Sequence, residues 1–262
     1  LNKCEKVYNN VGINCIKLDS LETGELAKTF TNFARLVQFN LSNYLGSLCY
    51  VNNINDKTLF NSLKQGYPRL NFLSDIGPGV GGFCLPKDSL VLHDAFTQME
   101  NNLPTNLYDF PREQFELNQK IINHHFELVK NLIFDSKKIL ALGVAFKGKP
   151  QTDDTRDSTG LAIVKKLMNE NFNVEVYDRT VSLTEQKRLG LNIAKINENG
   201  EKKYDSILIL NNDYKYAEFI RKNINQFSNK IRLYDPWRII LKSDSLIIQP
   251  NFLTENFLQM SQ

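Results

Sequence analysis

The stretch "KKILALGVAFKGKPQTDDTRDS", residues 137–158, opens with two lysines and an apolar run and ends in a loop crowded with lysine, glycine, aspartate and arginine. A short apolar run without alternation reads as a strand buried on both faces. Three more β-rich runs follow: "FNVEVYD" at 172–178, "DSILILN" at 205–211 and "KIRLYDP" at 230–236. Helical or polar segments separate them. Strands alternating with helices imply parallel pairing in a doubly wound, Rossmann-like α/β sheet, where ligands bind beyond the carboxyl ends of the strands. The loop "FKGKPQTDDTRDS" and the tetrapeptide "DPWR" fall at those ends.

Upstream of this half the pattern is helical. Asp19 followed by Glu22 predicts a capping box, and Leu26, Phe30, Phe33, Val37, Leu41, Tyr44 and Leu48 then recur by threes and fours as one face of a long helix. Ahead of it "VGINCIKLDS", residues 11–20, predicts a strand and turn. Further helices are predicted over 56–64, from Lys87 to about Glu100, and from Pro111 to about Phe134. The chain therefore divides near Asp135 into a helical segment, 19–135, and a sheet domain, 136–262, with 1–18 as a remnant of something preceding.

Composition narrows the function. With 42% hydrophobic and 23% charged residues in 262, the chain has enough apolar content for two packed cores. No apolar stretch approaches the roughly 18 residues of a membrane span. The net charge of +3 is spread along the chain and gives no basic tract for nucleic acid. Four cysteines, Cys4, Cys15, Cys49 and Cys84, lack paired metal spacing, and the adjacent His124 and His125 face different directions on a helix, which leaves no metal site and reads both as surface or partly buried residues. Free thiols in a reducing, cytoplasmic compartment follow. The start at Leu1 rather than methionine suggests a fragment.

The segment "GPGVGGFCLPKDSL", residues 77–90, removes side chains from the approach to one thiol. Alone, it is equally a tight turn beside a structural cysteine. Together with "ELAKTFTNFAR" upstream and "ALGVAFKGKPQTDDTRDS" downstream, it resembles the nucleotide-sugar dehydrogenases, typified by UDP-glucose 6-dehydrogenase and its UDP-N-acetylhexosamine relatives. The resemblance covers most of residues 19–240 and implies a helical dimerisation segment carrying the catalytic cysteine, followed by a UDP-sugar-binding domain. Residues 1–18 would be the end of an NAD-binding domain that is otherwise missing, since no strand followed by G-x-G-x-x-G precedes Cys84.

Such enzymes pass two hydrides to NAD and turn a primary alcohol into an acid. The resemblance makes Cys84 the thiol that adds to the intermediate aldehyde, giving a thiohemiacetal and then a thioester. Gly79 and Gly81 would let backbone amides approach the sugar and the developing negative charge. Lys28 would stabilise the oxyanion, Asn32 would hold substrate or water, and Asp88 would orient the lysine and the hydrolytic water. Taken alone, Lys28 and Asn32 are a solvated pair on one helical face, and Asp88 is a cap for the next helix. Lys87 and Arg156 would meet NAD. Arg69 would serve the substrate of the neighbouring subunit, or be an ordinary surface charge. Phe146, Lys147 and Arg238 would contact the UDP-sugar.

Departures from the family pattern are Tyr44 where a glutamate is familiar after Asn43, and Phe83 before the cysteine; either could alter substrate choice. The end of the chain, 245–262, matches no pattern. The expected partners are a UDP-sugar and a second copy of the chain. The hexose is not defined, nor is UDP distinguished from GDP. A second class stays open: a non-catalytic nucleotide-sugar-binding or oligomerisation module.

Overall fold

In a computed structural model that describes residues 2–52, 54–65, 67–98, 107–196 and 204–242, the apolar run forms β1 (Ile139–Leu142), buried at all four positions. β2 (Val174–Tyr177), β3 (Tyr204–Ile209) and β4 (Phe227–Tyr234) complete a parallel sheet in the order β2-β1-β3-β4. The helices, numbered along the chain, are α1 (Asn2–Asn10), α2 (Leu21–Val51), α3 (Asp56–Lys64), α4 (Cys84–Thr97), α5 (Asp109–Leu132), α6 (Thr159–Asn169), α7 (Leu183–Arg188), α8 (Lys215–Lys222) and α9 (Ile239–Lys242). Connections from β1 run outward to β2 and then back to β3, so the strand order reverses between β1 and β3, the place where such sheets bind ligands.

Both faces of the sheet are covered. One packs Ile163, Val164 and Leu167 of α6, with Phe126, Val129 and Ile133 from the end of α5, on Ile139, Ala141, Val174 and Val176. The other packs Tyr216, Ala217 and Ile220 of α8, with Ile239 and Ile240, on Leu140, Leu142, Ile207 and Ile209. Helix α5 thus serves two layers: its first half lies against α2 and α4, its second half closes the sheet core.

The β1 turn is held from within. Asp178, at the end of β2, accepts hydrogen bonds through Oδ2 from the amides of Val144 (2.7 Å) and Ala145 (3.0 Å), and through Oδ1 from those of Thr180 (2.8 Å) and Val181 (3.0 Å). The amides that a phosphate would use in a dinucleotide fold are satisfied here by the chain's own carboxylate.

The helical half corrects several expectations. Residues 11–19 form no strand, and an unforeseen α1 precedes them. The cap of α2 is Ser20, not Asp19: its hydroxyl accepts from Thr23 N at 3.1 Å. Helix α4 starts at Cys84, ahead of Lys87, because Pro86 is tolerated in a first turn whose N–H groups have no helical partner. The apolar stripe of α2 divides: Phe33 is buried and Val37 half-buried, but Leu26, Phe30, Leu41, Tyr44 and Leu48 are exposed, and the inner face carries Asn32, Leu36, Asn40 and Asn43 beside Phe33.

His125 also departs from its expected surface or partly buried position. It is buried between α5 and β4, with Nδ1 2.9 Å from the Tyr234 hydroxyl. Burial, helped by the neighbouring His124, depresses its pKa from 6.5 to about 4. The folded state therefore refuses a proton that the unfolded chain accepts, and stability falls as pH drops from 6.5 towards 4. The loss attributable to His125 should approach about 3 kcal/mol over that window. Urea midpoints of the native protein and His125→Gln, measured from pH 7 to pH 4, check this, since the variant should show a flatter slope. Asp178→Ala should strand four amides and cost about 3 kcal/mol or more in the same assay at neutral pH.

Candidate functional site

The glycine stretch is seated between helices and sheet, which explains its composition. Asn43 Oδ1 on α2 accepts from Gly77 N at 2.8 Å. Asn118 on α5, fully buried, clasps Val80 from both sides: its Oδ1 accepts from Val80 N (2.7 Å) and its Nδ2 donates to Val80 O (2.9 Å). Gly82 N donates to Asp157 O in the loop after β1 at 3.1 Å. A Cβ on Gly77 would meet the Trp237 indole at 3.0 Å, one on Gly79 would meet Ile122 at 2.5 Å, and one on Gly81 would meet Asp157 O at 2.8 Å. Gly79, at φ +96, also has a backbone closed to most other residues. These glycines bring the chain against its own helices and loop; their expected approach to a ligand remains a separate matter.

Cys84 is the first residue of α4 and is exposed. Phe83 ahead of it supplies no side-chain cap to the opening amides of α4. One turn on, Asp88 shares that face of the helix. It is buried, and as the fifth residue of α4 it lies inside the helix and not at its start, which decides against the capping alternative. Its Oδ2 accepts from Asn32 Nδ2 at 2.5 Å and lies 3.5 Å from Lys28 Nζ, and its Oδ1 lies 2.5 Å from Lys87 Nζ. Burial alone would raise the Asp88 carboxyl, but hydrogen bonds from Lys87 and Asn32 and the charges of Lys87 and Lys28 outweigh it and hold the group below the usual aspartate value. The carboxylate stays ionised at neutral pH and fixes two ammonium groups and an amide near the thiol.

A third cation reaches the same place from the sheet domain. Arg156 forks onto Asp154, with Nε to Oδ1 at 3.0 Å and Nη2 to Oδ2 at 2.7 Å, and its guanidinium stands 5.6 Å from the Phe83 ring centroid. The pair holds the Asp154 carboxyl below its usual value and the Arg156 guanidinium above its own.

The remaining candidates are placed as follows. Phe146 packs against Gly82, whose Cβ would come within 2.8 Å of the ring, and Lys147 Nζ stands 5.1 Å from that ring's centroid. Arg238, with φ +54, is engaged by Asp56 at the start of α3. Arg69 lies exposed in a 3-10 turn, Pro68–Leu70, its guanidinium 6.0 Å from the Tyr67 ring centroid. The structure thus joins Lys28, Asn32, Lys87 and Asp88 beside Cys84 and brings up Arg156, Phe146 and Lys147, while Arg69 and Arg238 have other local partners. Sequence reading passed over Asn118, whose only signal would have been a polar residue on the apolar face of α5, and Asp157, whose part is played by a backbone carbonyl at φ +49 that no residue type announces. Among the described residues, no group of three or more side chains could hold a metal ion, and no helix is long and apolar enough to cross a membrane.

A parallel sheet with a reversal point and a thiol presented against it by a helical segment defines a class of two-part nucleotide-binding proteins. Comparison with known proteins narrows the class. The profile of the UDP-glucose/GDP-mannose dehydrogenase family, central domain, matches residues 22–112, and that of the same family's UDP binding domain matches residues 140–242. The chain belongs to the UDP-glucose/GDP-mannose dehydrogenase family. It is 25% identical to a UDP-N-acetyl-D-mannosamine dehydrogenase of Methanococcus vannielii, over 87% of this chain and 50% of that protein. The same enzyme of Methanocaldococcus jannaschii is 27% identical, over 97% of this chain and 54% of that protein. The structure of UDP-D-ManNAc dehydrogenase from Pyrococcus horikoshii superposes with a TM-score of 0.64 at 26% identity, covering 85% of this chain and 50% of that one. The chain spans about half the length of the curated relatives it matches.

The packing role of the glycines is open to direct measurement. Gly81→Ala forces a methyl against a backbone carbonyl 2.8 Å away and should cost about 1–3 kcal/mol in urea unfolding. Gly24→Ala, inside α2 and no closer than 3.4 Å to Leu18, should instead add about 0.5–1 kcal/mol.

Proposed function

We propose that the chain is the substrate-binding and thiol-bearing part of an NAD-dependent nucleotide-sugar 6-dehydrogenase that oxidises a UDP-hexose to the UDP-hexuronic acid. The observation that carries this reading is Asp88, which gathers Asn32, Lys28 and Lys87 one helical turn from an exposed Cys84. Family membership supports it, and the names of the relatives make UDP-N-acetyl-D-mannosamine the first substrate to try.

The residues divide the work. The Cys84 sulfur adds to the aldehyde carbon, forming a C–S bond while the carbonyl electron pair moves onto oxygen. The Lys28 ammonium and the opening amides of α4 stabilise that oxyanion. After oxidation to the thioester, a water held by Asn32 and Asp88 attacks the acyl carbon, the C–S bond breaks, and the acid leaves as the thiol is restored. When bound, the nicotinamide accepts the hydride removed at each oxidation. The residues in hand do not build its phosphate cradle: the β1 turn amides are taken by Asp178, and the chain has no G-x-G-x-x-G after a strand. Lys87 and Arg156 suit the edge of such a site, with the cradle outside these residues. The nucleotide part of the substrate would meet Lys147, Phe146 and the loops at the reversal between β1 and β3, with Arg238 completing the pocket on release from Asp56.

The uncovered stripe of α2 supports a homodimer. Leu26, Phe30, Leu41, Tyr44 and Leu48 lie on one side of a helix whose other side is already packed. Across a two-fold axis the same stripe would meet itself, which would also let Arg69 serve the neighbour's substrate. Sedimentation at tens of micromolar should show a dimer, and Leu41→Glu should shift it to monomer. Monomer alone in the native protein would sink the dimer.

Binding and turnover should separate. Calorimetry should detect UDP with modest affinity, weakened by Lys147→Ala. The chain mixed with UDP-N-acetyl-D-mannosamine and NAD should produce no reduced cofactor. Turnover would contradict the division of domains, and no UDP heat from folded protein would contradict the substrate assignment.

A further inference from the structure

Phe83 stands immediately before the thiol with 45% of its surface exposed. Two cations approach its ring. Lys87 Nζ lies 5.5 Å and the Arg156 guanidinium carbon 5.6 Å from the ring centroid, both inside the distance at which a cation is drawn to an aromatic face. The two come from different parts of the fold, Lys87 from the first turn of α4 and Arg156 from the loop after β1. Each is also tied to a carboxylate, Asp88 and Asp154 respectively. The ring supplies an attraction common to both cations, and the Asp88 and Asp154 carboxylates anchor them and offset their mutual repulsion. A thiolate at Cys84 would in turn favour the Arg156 cation.

We propose that Phe83 is a positioning residue that holds Lys87 and Arg156 beside Cys84, so that this thiol takes negatively charged electrophiles in preference to neutral ones. The proposal rests on Cys84 being the reactive thiol of the preceding section. It adds a selection rule: an incoming carbonyl compound that bears a phosphate or carboxylate is favoured by its charge as well as by its sugar. The residue setting that rule is an uncharged ring.

Two reagents of nearly equal size test it. Iodoacetate and iodoacetamide both alkylate a thiolate by the same displacement, in which a C–S bond forms and iodide leaves, and only the first is an anion. Rates at Cys84 are read by peptide mapping of the folded chain, with the exposed Cys4 as internal reference. The iodoacetate to iodoacetamide ratio should be higher at Cys84 than at Cys4. Phe83→Leu, which keeps an apolar side chain and removes the ring's quadrupole, should lower the ratio about two- to fivefold, and Phe83→Tyr should restore it. Arg156→Gln should lower it as well. Raising the salt to about 1 M, where the Debye length is about 3 Å, should flatten the difference without any substitution.

A merely structural role for Phe83 would change both rates together and leave the ratio alone, and that result overturns the proposal. So does a native ratio at Cys84 no higher than at Cys4. In both cases a Cys84 that still reacts readily with iodoacetamide leaves the reactive-thiol reading standing. A Cys84 that reacts with neither reagent overturns both together.

Discussion

The backbone of Gly81 runs so close to that of Asp157 and Thr159 that a single methyl group would have to overlap a carbonyl oxygen or an amide nitrogen. This approach is the constraint on which the arrangement of the molecule turns. It docks the segment before Cys84 onto the loop after β1, sealed by the Gly82 to Asp157 hydrogen bond. Because α4 starts two residues later, the dock also sets where the thiol stands relative to the carboxyl end of the sheet. Lys28, Asn32 and Asp88 belong to the helices and Arg156 to the sheet domain, and they converge only because the glycines bring the two backbones together.

The interior around this junction is more polar than a hydrophobic core requires. Asn43, Asn118 and Asp88 are buried, and each finds its partner across an interface between elements. Such groups give little net stability when paired and carry a high cost when not, so their value lies in geometry. Asn118 offers a donor and an acceptor to Val80, and an apolar side chain there could not distinguish the correct seating of the loop from one shifted by a residue. The site is built from interactions that penalise misplacement.

The sheet was legible in the sequence because its signal is local: four short β-rich runs, separated by helical stretches, leave few alternatives to a parallel doubly wound layer. The helix over 56–64 was legible for the same reason. The inner face of α2 was not. Periodicity finds where apolar residues cluster, and on α2 most of that stripe faces outward, whereas the packed face adds Asn32, Asn40 and Asn43 to Phe33 and Leu36. Burial of His125 was hidden likewise, since its partner Tyr234 lies more than a hundred positions away. Of the site, the cluster around Asp88 was reached through resemblance and its contacts through structure. The partnership of Arg238 with Asp56, and the role of Asn118 as a clasp, needed the third dimension.

Helix α5 has a consequence for how such a protein can be divided. Ile121 and Ile122 belong to the helical layer, and Phe126, Val129 and Ile133 to the core beneath the sheet, along one continuous rod. A cut at Asp135, where the sequence changes character, would strip Phe126, Val129 and Ile133 from one face of the sheet and leave α6 to cover that face without them. A piece that recombination could pass on with this core whole therefore begins no later than α5.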